Sequence, residues 1–222
     1  MNLYRNNLTI GDIPQLDVVV PSFFPRDGLA SYWKLDGNSN DAHGSNDGTD
    51  YNMTYSAGKI GNAGSFNGGS SRIKLSKNAS TYLLNNWTMA AWAKRASSSS
   101  GRNSIYQMGN CVLDFGGAKY YDGADRIIND PDIPTDTDWH FYVWTKSSTG
   151  GSKLYRDGSL VASQSSHTTD NSNSYTEVNI GRFAAPGNSW FGGSIDELGL
   201  WSRALTSDEI TKLYNNGNGL TY

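Results

Sequence analysis

Trp190-Phe191-Gly192-Gly193-Ser194-Ile195-Asp196-Glu197-Leu198-Gly199-Leu200-Trp201 joins a Gly-rich turn to an alternating strand that carries an isolated acidic pair. Alternation with a period of two is the pattern of a β-strand that lays one face on a core. Just beyond it, Thr206 and Glu209 stand at capping-box spacing, and Ile210, Leu213 and Tyr214 put an apolar stripe on one face of a short helix, with Gly217 as its stop. That helix is expected to plug an end of a β-sandwich. Leu29-Ala30-Ser31-Tyr32-Trp33-Lys34-Leu35-Asp36-Gly37 supplies a strand near the other end, so the two ends of the chain are expected to close one β domain.

Between these ends, strand signals recur at Ala63–Asn67, Arg72–Leu75, Trp87–Lys94 and Trp139–Thr145, each bounded by Gly, Asn or Ser. Trp87–Lys94 alternates large and small residues, as a strand with one face on a core does. Lys153–Arg156 and Ser159–Ala162 flank Asp157-Gly158, the pair that suits a type I′ hairpin. Ser97 to Gly101 and Ser163 to Ser174 read as loops. Residues 1 to 27 hold Pro14, Pro21 and Pro25 around Leu16-Asp17-Val18-Val19-Val20. They read as an extended arm that pairs with a neighbour or, equally, as an edge strand along their own domain. The expected organisation is this arm followed by one domain over 28–222.

The 222 residues suffice for one substantial core. A net charge of −3 with no basic stripe argues against a nucleic-acid partner. With 25 glycines and only 18% charged residues, the composition fits a turn-rich all-β chain. The single Cys111 excludes an intramolecular disulfide and is expected to be buried and inert. No apolar run reaches membrane-spanning length, and Met1–Asn7 leads into none, so synthesis in the cytosol and unmodified sequons at Asn7, Asn52, Asn78 and Asn86 are expected.

Several segments, in their order, resemble the laminin-G-like branch of the concanavalin A-like lectin/glucanase superfamily. They are Tyr32–Gly37, Gly58–Phe66, Trp87–Trp92, Asp138–Val143, Leu154–Gly158, Asn179–Arg182, Ser194–Leu198 and Ser202–Thr206. The resemblance, over roughly 28 to 220, implies an all-β jelly roll of two antiparallel sheets. It also implies a structural calcium at Asp36, Asn38, Asp41 and Asp196. Asp-Gly-Asn-Ser-Asn-Asp from residue 36 offers the flexible oxygens that calcium takes. In the other reading Asp36-Gly37 is only a turn and Asp196 caps local amides.

Glu197 lacks the second carboxylate that glycosidases need, and His43, His140 and His167 lie in unrelated contexts, which points away from zinc and from a Ser-His-Asp set. His140 is expected to pack beside Trp139. Trp33, Trp92, Trp139 and Trp144 are expected to fill the core or cover it. Trp190, in the loop Ala185–Trp190, and Tyr120 with Tyr121 after Gly116-Gly117 are the candidate glycan platforms. The expected function is a non-enzymatic recognition or structural domain on a larger assembly. The lack of a signal peptide, an N-terminal arm too short to be a domain and a fold that the resemblance implies is usual on exteriors point to the surface of a bacteriophage virion, capsid or tail, made in the host cytoplasm. Other virion or assembly proteins would be partners through the arm, surface glycans would be candidate ligands, and no membrane is expected. The alternative is an extracellular lectin module of a secreted or cell-surface protein; a hydrolase ranks third.

Overall fold

The computed structural model describes residues 24–81, 85–97, 103–121, 125–167, 176–184 and 189–222. The strands are β1 (Leu29–Trp33), β2 (Gly48–Tyr51), β3 (Thr54–Ala57), β4 (Asn62–Asn67), β5 (Arg72–Leu75), β6 (Trp87–Arg95), β7 (Ser104–Met108) and β8 (Cys111–Asp114). They continue with β9 (Gly117–Tyr121), β10 (Asp125–Asn129), β11 (His140–Ser147), β12 (Gly151–Arg156), β13 (Ser159–Gln164), β14 (Val178–Ile180), β15 (Arg182–Phe183), β16 (Ser189–Trp190) and β17 (Gly192–Trp201). One helix, α1 (Ser207–Tyr214), follows. The first sheet runs β13-β12-β11-β6-β17-β4-β3, with β1 also on β17, and the second runs β10-β9-β8-β7-β14-β5-β2. Every pairing is antiparallel, which makes the jelly-roll sandwich that the sequence leads one to expect.

The core lies between the sheets, where Trp87 meets Trp144 edge to face at 4.6 Å and Trp33, Ile73, Tyr106 and Leu198 fill the layer. Asp157 and Gly158 turn the β12–β13 hairpin with φ of 51° and 79°, the positive values of a type I′ turn. Cys111 is buried.

The helix departs from its expected place. Instead of plugging an end, α1 lies on the outer face of the first sheet, where Ile210 and Leu213 join Trp92, Phe141, Val143 and Tyr155. Burying the two aliphatic side chains contributes about 2 kcal/mol each. This second layer is why β6 is buried on both faces instead of one, with Trp92 stacked on Tyr214 rather than in the inter-sheet core. Trp139 is only partly buried at its margin. Thr206 and Glu209 form the capping box, but Asn215, in a left-handed conformation, ends the helix before Gly217 is reached. Ser163 and Gln164 belong to β13, and His167 is buried, so that stretch is not simply a solvated loop.

Residues 24 to 27, assigned to the arm, pack on the domain. Phe24 meets Tyr32 edge-on at 5.1 Å, the Pro25 carbonyl accepts from Trp201 Nε1 at 2.7 Å, and the Asp27 carbonyl accepts from Arg203 Nε at 2.9 Å. The Arg26 guanidinium lies 4.1 Å from the Tyr222 ring centre. Leu16–Val20 lies outside the described residues.

Candidate functional site

The acidic pair sits on a bulge. Strict alternation through β17 would put Ile195, Glu197 and Gly199 on one face, yet Ile195, Leu198 and Leu200 are the residues that enter the inter-sheet core. The register against β6 shifts between Asp196 and Gly199, and Glu197 takes φ 48°. One extra residue there turns both carboxylates toward the outer face of the first sheet. Glu197 accepts a hydrogen bond from the Tyr32 hydroxyl. Asp196 Oδ2 accepts from the Lys59 and Ile60 amides at 2.8 and 2.9 Å, while its buried Oδ1 has no partner. Burial, reinforced by the neighbouring Glu197 and opposed by the Ile60 and Lys59 amides, lifts Asp196 to about 7. Burial lifts Glu197 to about 7 as well, against the Tyr32 hydrogen bond.

The four expected calcium ligands do not form one shell. Asp41 is consumed by its own loop: Oδ1 takes the amides of Tyr32, His43 and Gly44 at 2.9, 3.0 and 2.9 Å, and Oδ2 takes that of Asn46 at 3.0 Å. Burial alone would raise Asp41, but those amides outweigh it and hold the carboxyl below its usual range. Asn38 accepts from the Asn40 amide in an exposed turn. Asp36 and Asp196 bind different amides of one turn, Gly58–Asn62, where Asp36 Oδ1 accepts from the Asn62 amide at 2.7 Å. Asp196 thus binds the amides of a turn far from it in sequence rather than local ones. Among the described residues no three of His, Cys, Asp and Glu group as a metal ion requires.

The second region lies on the opposite side of the sandwich. After β14 the chain turns at Gly181, whose φ of 78° and contact with the Phe66 ring leave no room for a Cβ, and forms the β15–β16 hairpin. This hairpin lies on the outer face of the second sheet. Phe183 packs on Val112, the Ala184 amide donates to Gln107 Oε1 at 2.9 Å, and Lys119 Nζ stands 5.9 Å from the Phe183 ring centre. Gln107 also accepts from Asn179 Nδ2 at 3.0 Å, so buried amides of β7 and β14 brace the hairpin from below. Trp190, in β16 rather than in a loop, is half-buried opposite Arg182, with the guanidinium 4.8 Å from its ring.

Tyr120 is not a platform. It is 1% exposed and stacks on buried His167 at 3.4 Å, because strand alternation on β9 points it into the core with Ala118. Tyr121 pairs with Asp125, and its side chain lies outside the described residues. The histidines stay apart: His43 meets the Tyr222 hydroxyl, His167 meets Ser152, and His140 bridges Asp157 at 2.7 Å and Asp136 at 3.1 Å rather than only packing beside Trp139. The sequence reading missed Arg182, Gln107 and Asn179. The available signal was the polar residue between core neighbours in Tyr106-Gln107-Met108 and Val178-Asn179-Ile180.

Two antiparallel sheets closed as a jelly roll, with buried carboxylates on one side and a braced aromatic hairpin on the other, define a lectin-like sandwich. The chain belongs to the laminin G family of the concanavalin A-like lectin/glucanases superfamily, whose sequence pattern matches residues 67–211. No curated protein matches the chain. It is similar to domain 4 of AbnA, an extracellular arabinanase from Geobacillus stearothermophilus, in complex with arabinotriose, at 20% identity and a TM-score of 0.64 over 82% of this chain and 96% of that one. The binding domain of botulinum neurotoxin DC in complex with SialylT is 12% identical, with a TM-score of 0.64 over 85% of this chain. Trypanosoma rangeli sialidase is 16% identical, with a TM-score of 0.65 over 89% of this chain. The chain spans 51% of the toxin domain and 34% of the sialidase, so these likenesses speak to the fold.

Proposed function

We propose that this chain is a non-catalytic carbohydrate-recognition module, held to a larger assembly through its N-terminal arm and presenting the β15–β16 hairpin outward. The observation that carries this reading is Trp190, half-buried beside Arg182 on a hairpin braced by Gln107, on the side of the sandwich opposite Phe24 and Tyr222. An aromatic face next to charged and amide groups is what a sugar ring and its hydroxyls take up. The arabinanase domain, bound to arabinotriose, supports the same use of the fold. Catalysis is disfavoured because Asp196 and Glu197, at 0% and 2% exposure, are closed off from solvent, Asp196 against the Gly58–Asn62 turn and Glu197 beside Tyr32, Leu213 and Leu220. The cavity beside Glu197, lined by Tyr32, Trp92, Phe141, Trp201 and Leu220, has room for about one water, too little for a glycosidic bond.

The calcium reading narrows to Asp36 and Asp196. The unpartnered Asp196 Oδ1 and the Asp36 carboxylate at the Gly58–Asn62 turn are the groups that would hold the ion, whose contribution there would be to fix that turn. Asn38 and Asp41 have no part in it.

A glycan array followed by titration calorimetry tests the lectin reading. Trp190→Ala is expected to weaken binding at least about tenfold, or about 1.4 kcal/mol, with little change in melting. Absence of any glycan hit for the unaltered chain would refute it.

A further inference from the structure

The two sheets end in four strands, β13 and β3 in the first and β10 and β2 in the second. An end strand leaves a row of backbone N–H and C=O groups without a strand partner, which is a template for another strand unless charge or proline guards it. β2 carries Asp50, β10 carries Asp125 and Arg126, and β3 exposes Thr54 and Ser56. β13, Ser159-Leu160-Val161-Ala162-Ser163-Gln164, has neither charge nor proline, pairs only with β12 and shows Leu160 at 52% exposure. Its one guard is the bulge at Val161. β13 and β10 come together on one side of the sandwich. Leu160, Ile127 of β10 and Ile133 just after it are three of the four large hydrophobic side chains exposed among the described residues. Leu160 faces Tyr155 across the hairpin, on the sheet face that α1 covers further in, while Ala162 packs on the inter-sheet core.

The chain holds a segment that matches this edge. When extended, Leu16-Asp17-Val18-Val19-Val20 sets Leu16, Val18 and Val20 on one face and Val19 on the other, so either face brings an aliphatic group, and its one charge is Asp17. Chain length decides whose β13 it meets. Phe24 is fixed against Tyr32 of β1 and Trp201 of β17. From β17 the order runs β6, β11, β12, β13, so the free side of β13 lies five strand spacings away, about 24 Å. Val20 stands four residues before Phe24, a stretch of at most about 14 Å. The segment therefore falls short of the β13 of its own domain.

We propose that Leu16–Val20 of one copy adds as a strand to the free edge of β13 in a second copy, covering Leu160 and extending the first sheet. Main-chain hydrogen bonds along the edge supply affinity, and the aliphatic contact with Leu160 sets register. The contact is head to tail, because the arm departs beside β1 and the receiving edge lies at the other end of the sheet, so each copy both gives and receives a strand and the copies build a ring or a filament. This assignment rests on the reading of the arm as the attachment and names its partner as a second copy of this chain.

Sedimentation velocity of the full chain over a concentration series tests it. The unaltered chain is expected to associate, and Leu160→Asp should weaken association at least tenfold with melting unchanged, because that side chain already faces solvent. Val18→Asp tests the same contact from the donor side and should weaken association as much. Mixing the two variants brings together one intact arm and one intact edge, so the mixture should form dimers and stop there, which neither variant does alone. Absence of that mixed dimer, or association of Leu160→Asp as strong as that of the unaltered chain, overturns the assignment. An unaltered chain that stays monomeric at every concentration overturns the second copy as partner and leaves the arm to a different protein of the assembly. Hydrogen exchange of the dilute monomer separates the remaining case: protected amides at Leu16–Val20 would place the arm on its own domain and remove the attachment reading as well.

Discussion

Stability should fall as pH rises through neutrality, because the folded chain keeps protons on Asp196 and Glu197 that the unfolded chain releases. Asp196 stands at about 7 against an ordinary 3.8, and Glu197 at about 7 against 4.5. Both folded values are raised, so from about pH 4 to about pH 7 the folded state binds more protons than the unfolded one, and stability drops across that window before levelling off. Each unit is worth about 1.4 kcal/mol. A charge on either acid opposes ionisation of its neighbour, so the two titrate as a unit, and the loss expected between about pH 5 and about pH 8 is on the order of 3 kcal/mol. His140 adds to the same trend: burial opposes its charge, but Asp157 and Asp136 outweigh burial and raise it, so its contribution is lost as pH climbs through its folded value. Urea unfolding followed by tryptophan fluorescence, in chelator at several pH values, measures the slope. In the double variant Asp196→Asn, Glu197→Gln the amide oxygens can still accept from Lys59, Ile60 and Tyr32, so most of the slope should vanish and only the His140 part remain. An unchanged slope in the double variant would show that these carboxyls titrate as exposed acids do and that the bulge does not bury them.

Two further outcomes are expected. Added calcium should raise the melting temperature of the unaltered chain and of Asp41→Asn, but not that of Asp36→Ala or Asp196→Ala; an unchanged melt on adding calcium to the unaltered chain would remove the ion from this domain. Asp41→Ala should cost about 3 kcal/mol, roughly 8 °C in melting temperature, by stranding amides that include those of Tyr32 and Asn46. Because Asp41 is held low in the folded state, the stability it supplies is present above about pH 4 and lost as pH falls through its folded value.

Local chemistry determined what was legible in the sequence. Asp157-Gly158 specifies its turn because few residues tolerate positive φ, Thr206 and Glu209 specify the helix start because they bond each other's backbone, and alternation in Trp87–Lys94 specifies a strand. These signals act within a few residues, and together they define an all-β sandwich. Tertiary structure alone decided which side chains share a place. The bulge that turns Glu197 and Asp196 to one face arises from the pairing of β17 with β6, about a hundred residues away in the chain, so no period within Ser194–Leu200 announces it. Asp41 looks like a metal ligand until the loop closes and the Tyr32 amide arrives from β1. Tyr120 and Tyr121 look alike in sequence, and only the register of β9 sends Tyr120 onto His167. Likewise Tyr51 meets Arg72 only because β2 pairs with β5, and Arg182 meets Trp190 only because β15 pairs with β16. Periodicity fixes what a segment becomes, whereas register and bulges, set by long-range pairing, fix what its side chains meet.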